Sequence, residues 1–393
     1  MKIPDPPLPK TIQRVSPSLY EALLACGAKA AWYSGGRRDD LAPHPAALLG
    51  IAFHGVLEAV HKGMLLGEPD ERRAAARAEF DLLATKAYAE AHPLLRRKFT
   101  SPEKLPYYNQ QRELAALLAA ATPLPPQLGG DRSGLGSGSE KWFESSDSKI
   151  GGRPDFLDAA RHEVVDYKTG YVADGGGSVS EREQRQLNLY AYLARESGIT
   201  VEVGRIVRAN GNQPTVQITS DQAVAEAEKA RALLIEYNTS VVGSTFEDLA
   251  DPSPDVCRMC SCQPLCEAFW IMADASWQEE CGVHLEGTVV HIDEAVIQET
   301  ALVTLEVDVT RGTVEADSAT IEQVPLAWLE ADGDRHPKVG DVIRVVDGRL
   351  VNSSDPVLIR TDRIMTTVWR VQGTARAVDS KDSRSSDDAE PAA

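Results

Sequence analysis

Asp155, Asp166 and Lys168 are the residues whose types and spacing point most directly to chemistry. They lie in the stretch GGRPDFLDAARHEVVDYKTG, residues 151–170. Two short apolar runs, Phe156-Leu157 and Val164-Val165, flank the turn-prone AARH, so the stretch reads as a β-hairpin. A symmetric register sets Asp155 opposite Asp166, and Lys168, two residues further on, shares the face of Asp166. Two carboxylates that close repel unless a cation sits between them, and hard oxygen donors suit magnesium or manganese. Such an ion polarises a phosphoryl oxygen and acidifies a water, while the ammonium stabilises developing charge or positions that water. The reaction class this suits is phosphodiester hydrolysis. The same three residues also fit a surface hairpin with an Asp–Lys pair, since exposed pairs are common and weak.

The cysteines are the second constellation. Four of the six fall within residues 257–266, and without a secretory signal such clustering favours a metal centre over disulfides. Cys257, Cys260 and Cys266 form C-x2-C-x5-C, whose thiolates suit zinc or an iron-sulfur cluster and need a fourth partner. Cys262 offers a local one, completing a site for zinc, which leaves Cys26 as a buried core cysteine. Cys281 has no obvious partner and reads as a small core residue.

These groups must be held by a framework. Ser16 to Tyr33 has a helical pattern, with Ser16 or Ser18 as N-cap and Leu19, Leu23 and Cys26 on the buried face. A helix from about residue 46 to 66 carries Leu49, Phe53, Leu57, Val60 and Met64 as its apolar stripe, with His54, Glu58 and His61 on the adjacent strip. That strip is a competing metal site only if two further ligands arrive from elsewhere. Helices continue to about Thr122 and include the basic run Arg96-Arg97-Lys98. Residues 123–139 have loop composition. Lys141–Ser146, the hairpin and Val201–Val207 supply strands, and a helix spans about 181–196. Glu140 is a further acid near the hairpin. Thr288–Val290, Leu302–Val309, Val342–Val346 and Thr366–Val371 alternate apolar and polar residues as in a separate small β-barrel. The polar tail from Thr374 reads as disordered.

Composition sets limits. The chain has 393 residues, 42% apolar and 25% charged, as expected of a globular protein of two or three domains. It shows no signal peptide and no apolar run long enough for a membrane span, which points to the cytoplasm and no membrane partner. A formal charge of −18 argues against broad attraction to nucleic acid but leaves room for a local groove.

The string G-x-P-D, ten residues, D-x-K-T-G resembles the PD-(D/E)XK nuclease signature in its RecB-type form. Gln186 and Tyr190, in QRQLNLYAYL, match the Q-x-x-x-Y helix of that family, and GIAFHGVLE places His54 where the family has a histidine that completes the metal shell. The resemblance implies an α/β restriction-endonuclease-like core with a helical N-terminal part over residues 11–282, including a helical insertion at about 67–122 and a flexible loop at 123–139. The small all-β barrel follows at 284–373, and the tail at 374–393. It implies that His54, Asp155 and Asp166 ligate Mg2+ or Mn2+, together with a backbone carbonyl after Asp166. Lys168 orients the nucleophilic water, and Gln186 with Tyr190 shapes the catalytic site.

The likeness extends to the iron-sulfur exonuclease branch, which includes CRISPR-associated RecB-like exonucleases and AddB-type subunits. There the fourth cysteine precedes the histidine helix, where Cys26 stands, so Cys26, Cys257, Cys260 and Cys266 are implied ligands of a 4Fe-4S cluster. The implied function is a metal-dependent nuclease on single-stranded DNA or DNA ends, in repair, recombination or defence. The alternative is a non-catalytic DNA-end-binding or scaffolding subunit whose barrel docks on a helicase or defence complex. The barrel resembles an OB-fold through strand spacing and the turn KVGDVIRV. It carries 16 acids against 8 Lys and Arg between residues 284 and 373, with Trp328 and Trp369 as its aromatics, so a docking or regulatory role is at least as well supported as strand binding.

Overall fold

The computed structural model describes residues 1–36, 40–122, 138–139, 141–169, 177–208, 210–330 and 337–371. The first helix of the sequence reading is in fact two. α1 (Pro17–Ala25) begins at Ser16, whose hydroxyl accepts the Leu19 N–H, with proline at the first helical position where no amide hydrogen is needed. Cys26 then breaks the helix with an extended backbone, φ −169° and ψ 131°, before α2 (Gly27–Ser34). Tertiary packing causes the break. The Asp251 amide donates to Cys26 Sγ at 3.4 Å, and a Cβ at residue 27 would stand 2.9 Å from the Leu249 carbonyl oxygen, so glycine is required there.

α3 (Pro45–His61) buries Leu49, Phe53, Leu57 and Val60. It stops five residues before the expected end because Gly63, at φ +67°, turns the chain. Met64 is consequently 68% exposed and not part of the stripe. α4 (Pro69–Ala89), α5 (Pro93–Lys98) and α6 (Tyr108–Ala121) follow, and α3, α4 and α6 share one apolar cluster.

The main sheet runs β1 (Gly138–Ser139), β4 (Phe156–Asp158), β5 (Glu163–Lys168), β6 (Val203–Arg208) and β7 (Thr215–Gln217), in that spatial order. β1 lies inside the stretch read as a loop. The remainder of that loop, Glu140 and the tail from Thr374 lie outside the described residues. β2 (Phe143–Glu144) and β3 (Gly151–Gly152) pair separately. Phe156 faces Val165 and Leu157 faces Val164, the symmetric register of the sequence reading. β5 and β6 are parallel, linked through α7 (Glu181–Glu196).

Side-chain alternation along β5 divides the core. Val164 packs with α1, α2, α7 and α8 (Ser220–Ser240), whereas Val165 and Tyr167 pack with α3, α4 and α6. Asp166 and Lys168 follow the period of Val164 and project toward α7. The sequence reading missed α8, although Thr219 and Gln222 form a capping box at its start and Ala223, Ala227, Ala230, Leu234 and Tyr237 line its buried face.

α9 (Pro254–Cys257), α10 (Glu267–Met272) and α11 (Gln278–Cys281) carry the chain past the cysteines into the barrel. Its strands are β8 (Val283–Ile297), β9 (Thr300–Gly312), β10 (Ser318–Pro325), β11 (Val342–Asn352) and β12 (Val357–Arg360), with α12 (Leu326–Leu329) after β10. β12 pairs with β10 in parallel and with β11 antiparallel, closing the ring β8-β9-β10-β12-β11 in the manner of an OB-type barrel. β13 (Thr367–Arg370) is added outside β11.

The barrel is fastened to the rest by buried charge. Arg344 on β11, 3% exposed, donates to Glu286 at 2.7 Å and to the Pro264 carbonyl at 2.8 Å, pairs with Glu267, and stacks 5.0 Å above the Trp270 ring. Arg311 donates to the other oxygen of Glu286 at 2.8 Å. Among the described residues no helix is long and apolar enough to cross a membrane.

Candidate active site

Four elements bring the proposed residues to one place. α3 carries His54, the turn before β4 carries Asp155, β5 carries Asp166 and Lys168, and α7 carries Gln186 and Tyr190. α3 comes close to the end of β5 at Gly50, where a Cβ would stand 3.3 Å from Thr169 Oγ1. α7 is set by the Ser180–Glu183 capping box, and Glu183 also forms a buried pair with Arg208 of β6, at 2.8 and 2.9 Å. Arg208 Nη2 in turn donates to the Ser178 carbonyl at 2.7 Å, holding the approach to the helix.

Asp166 is 3% exposed. Its Oδ1 accepts from Gln186 Nε2 at 2.7 Å, and Lys168 Nζ stands 2.6 Å from Oδ2. Gln186 Oε1 accepts a Lys168 hydrogen at 2.8 Å. Only this orientation of the amide presents a donor to the carboxylate and an acceptor to the ammonium, so the network fixes it. The Tyr190 hydroxyl lies 3.4 Å behind Gln186 Nε2. On the other side, Asp155 Oδ2 accepts the Tyr167 amide at 2.7 Å, and Oδ1 lies 3.2 Å from His54 Nδ1.

Burial pushes the Asp166 carboxyl up to about 6; Lys168 opposes this rise and the Asp155 charge adds to it. Burial would lower the pKa of the His54 imidazole, but the Asp155 hydrogen bond and the charges of Asp155 and Asp166 outweigh it, and the net shift is upward. The surroundings thus demand more positive charge than Lys168 supplies.

Asp166 Oδ2, although close to the ammonium, is buried and makes no hydrogen bond of acceptable angle. An oxygen lone pair left without a directed partner beside a second carboxylate and an imidazole is a donor set that fits a hard divalent cation. His54, Asp155 and Asp166 are not yet a finished ligand set: among the described residues no three His, Cys, Asp or Glu side chains are posed around a common metal position. Their oxygens and nitrogen are turned instead to Tyr167, Gln186 and one another.

The rest of the histidine strip goes elsewhere. Glu58 pairs with Lys62, and His61 stacks on Phe156 with centroids 4.0 Å apart and its Nε2 3.3 Å from the Tyr167 hydroxyl. Burial pulls the His61 pKa down to about 4, so it is a neutral packing group. Sequence reasoning missed Gln111 on α6, whose Nε2 lies 3.4 Å from the Thr169 carbonyl just past the end of β5. A lone glutamine in an alanine-rich helix gives no signal of that contact. The basic run Arg96-Arg97-Lys98 is not one patch, since Lys98 is 3% exposed.

Five cysteines meet at a second place. Cys26, Cys257, Cys260, Cys262 and Cys266 line one small pocket with Ala28, Val256 and Phe269, and all are free thiols. Residue 26 is thus brought to residues 257–266 as the resemblance implies. Cys260 and Cys262 are close, Sγ to Sγ 3.3 Å. Burial pushes the Cys257 and Cys266 thiols up to about 12, while the Cys262 hydrogen bond draws the Cys260 thiol down, to about 7. Clustered soft sulfur with no disulfide fits a thiolate-bound metal centre in chemistry, although no three of the sulfurs are yet at ligating geometry. Cys281 lies apart and donates to the Pro254 carbonyl at 3.2 Å.

A comparison with curated proteins returned no match. The model of the PD-(D/E)XK nuclease superfamily matches residues 14–267, which takes in α1 through the last clustered cysteine and stops before the barrel. With the acid-acid-lysine hairpin, the glutamine helix and the mixed sheet in place, the chain belongs to the PD-(D/E)XK nuclease superfamily.

Proposed function

We propose that this protein is a Mg2+- or Mn2+-dependent deoxyribonuclease that hydrolyses phosphodiester bonds of single-stranded DNA or DNA ends. The observation that carries the reading is the convergence of Asp166, Lys168 and Gln186 in one network, with the His54–Asp155 pair at its edge. His54, Asp155 and Asp166 are the proposed metal ligands. Bound there, the cation supplies charge for a phosphoryl oxygen and lowers the pKa of a water.

The protein's own groups do the rest. Lys168 Nζ, held between Asp166 and Gln186, is fixed in direction and retains hydrogen-bonding capacity for an incoming water or phosphate oxygen. Gln186 holds Lys168 and Asp166 together, and Tyr190 limits the motion of Gln186. The Tyr167 amide holds Asp155 at the height of Asp166.

For the cysteines the proposal is a 4Fe-4S cluster on Cys26, Cys257, Cys260 and Cys266, with a mainly structural task. It ties the start of the nuclease domain to its end and closes a long loop of chain. Support comes from the shared pocket and from Cys26 standing at a break between helices, turned toward the segment that precedes the other thiols. Zinc on the local set Cys257, Cys260, Cys262 and Cys266 is the second option, and anaerobically purified protein tells them apart: the cluster is brown, zinc colourless. Six free cysteines agree with work in the reducing cytoplasm. The Arg344 network supports a bracing role of the barrel on the cysteine loop, because its partners Pro264, Glu267 and Trp270 flank Cys266.

Purified protein with end-labelled single- and double-stranded DNA, in Mg2+ and in Mn2+, tests the activity. Shortening of labelled ends that stops on chelation supports it, and binding of ends without cutting in either metal contradicts it.

A further inference from the structure

Five thiols share a pocket where four suffice for a thiolate-held centre, and the two that crowd each other are Cys260 and Cys262, 3.3 Å apart. They also differ in access. A cavity of about 150 Å3 opens between α5, the cysteine loop and the barrel, lined by Lys98, Arg258, Met259, Cys260, Gln263 and Trp369 among others. Cys260 lines both this cavity and the thiol pocket, whereas Cys262 lines only the thiol pocket and is 1% exposed. A small oxidant entering the cavity meets Cys260 first and finds Cys262 directly behind it.

We propose that Cys260 and Cys262 form a redox pair whose disulfide, made by a hydroperoxide, withdraws Cys260 from the metal-binding thiols. The thiolate of Cys260 attacks one peroxide oxygen, the O–O bond breaks, and hydroxide leaves, giving a sulfenic acid. The Cys262 thiol then attacks that sulfur, the S–O bond breaks, and water leaves with the thiol proton. In sum two thiols and one hydrogen peroxide give one disulfide and two waters, with two electrons passing from sulfur to oxygen. A bridge across a single intervening residue is strained, and strained disulfides are the readily reduced, regulatory kind. Cys262 thereby acquires a role that the four-ligand centre leaves open.

The release of metal rests on the proposed thiolate centre; the disulfide does not. The full-length protein, stripped of metal by a chelator under anaerobic conditions, is treated with stoichiometric hydrogen peroxide, alkylated and digested with chymotrypsin. The peptide holding both residues should be lighter by two hydrogens and unalkylated at Cys260 and Cys262, and a thiol reductant should reverse this. Both thiols alkylated, or Cys260 bridged to another cysteine, overturns the pair. In the metal-loaded protein, peroxide should release metal several-fold more slowly from Cys262→Ser than from wild type, with Cys260 trapped as sulfenic acid by dimedone. A Cys262→Ser protein that folds, by circular dichroism, but takes up no metal makes Cys262 a ligand and overturns the proposal. A protein that forms the disulfide yet never binds metal leaves the pair standing and removes the cluster instead.

Discussion

Gln186 accepts a hydrogen bond from Lys168 at 2.8 Å while donating to Asp166 at 2.7 Å, so one side chain from α7 sets both the base-like and the acid-like partner of the strand. Replacing it with leucine removes both contacts and leaves a buried Asp166 oxygen without its donor. Gln186→Leu should lower single-turnover cleavage by about 10- to 100-fold, the usual cost of losing a partner that supports a metal ligand, the role proposed for Asp166. Metal affinity should fall in the same range, and circular dichroism should be unchanged. Wild-type rates would show that the network does not position Lys168.

The Arg344 network predicts that the barrel and the cysteine loop unfold together. Arg344→Met leaves Glu286, 4% exposed, with Arg311 as its one remaining charged partner in that network and exposes the Pro264 carbonyl to an apolar side chain. Breaking a buried pair from one side costs about 3–5 kcal/mol. Urea titration should show that loss, and limited proteolysis should open the segment between residues 262 and 283 first. A change within about 0.5 kcal/mol would mean that the barrel is held by other contacts.

Much of this site could be read from the chain. The hairpin register followed from two apolar pairs around AARH, and α7 from the helical pattern of residues 181–196, both local signals. What escaped was set by distant partners. The helix break at Cys26 comes from contact with Leu249 and Asp251. α8 has a buried face built largely of alanine, which gives a faint periodicity. Arg344 and Glu286 are 58 residues apart, and no spacing rule links them. Met64 fitted the stripe by period and failed because Gly63 ends the helix one turn earlier.

Asp347 predicts a pH dependence at the junction with the barrel. It sits at φ +55° in a bulge of β11 and faces Lys98 and the neutral, buried His284. Burial pushes its carboxyl up to about 6, with Lys98 opposing the rise, above an unfolded value of about 4. The folded protein therefore binds this proton more tightly. Its contribution is complete below about pH 4 and is lost as pH rises through 6. Asp347→Asn should remove that fall, so the urea midpoint of the variant should gain on wild type between pH 4 and 6. Parallel profiles would show that Asp347 is solvated in the folded protein.

The cysteines give a paired test. Cys26→Ala should abolish bound metal and the visible absorbance of anaerobically purified protein and lower its melting temperature. Cys281→Ala, outside the thiol pocket, should keep both. Retention of the metal in Cys26→Ala would assign the centre to the four local cysteines.

Asp166→Asn, which replaces one carboxylate oxygen with an amide nitrogen, tests whether the hairpin and α7 form a metal-dependent nuclease centre. Cleavage of end-labelled single-stranded DNA should be measured for both proteins across Mg2+ and Mn2+ concentrations. A metal-dependent wild-type rate and a fall of at least about 1,000-fold in Asp166→Asn are expected, with DNA binding and thermal stability retained. Equal cleavage by the two proteins would contradict such a centre.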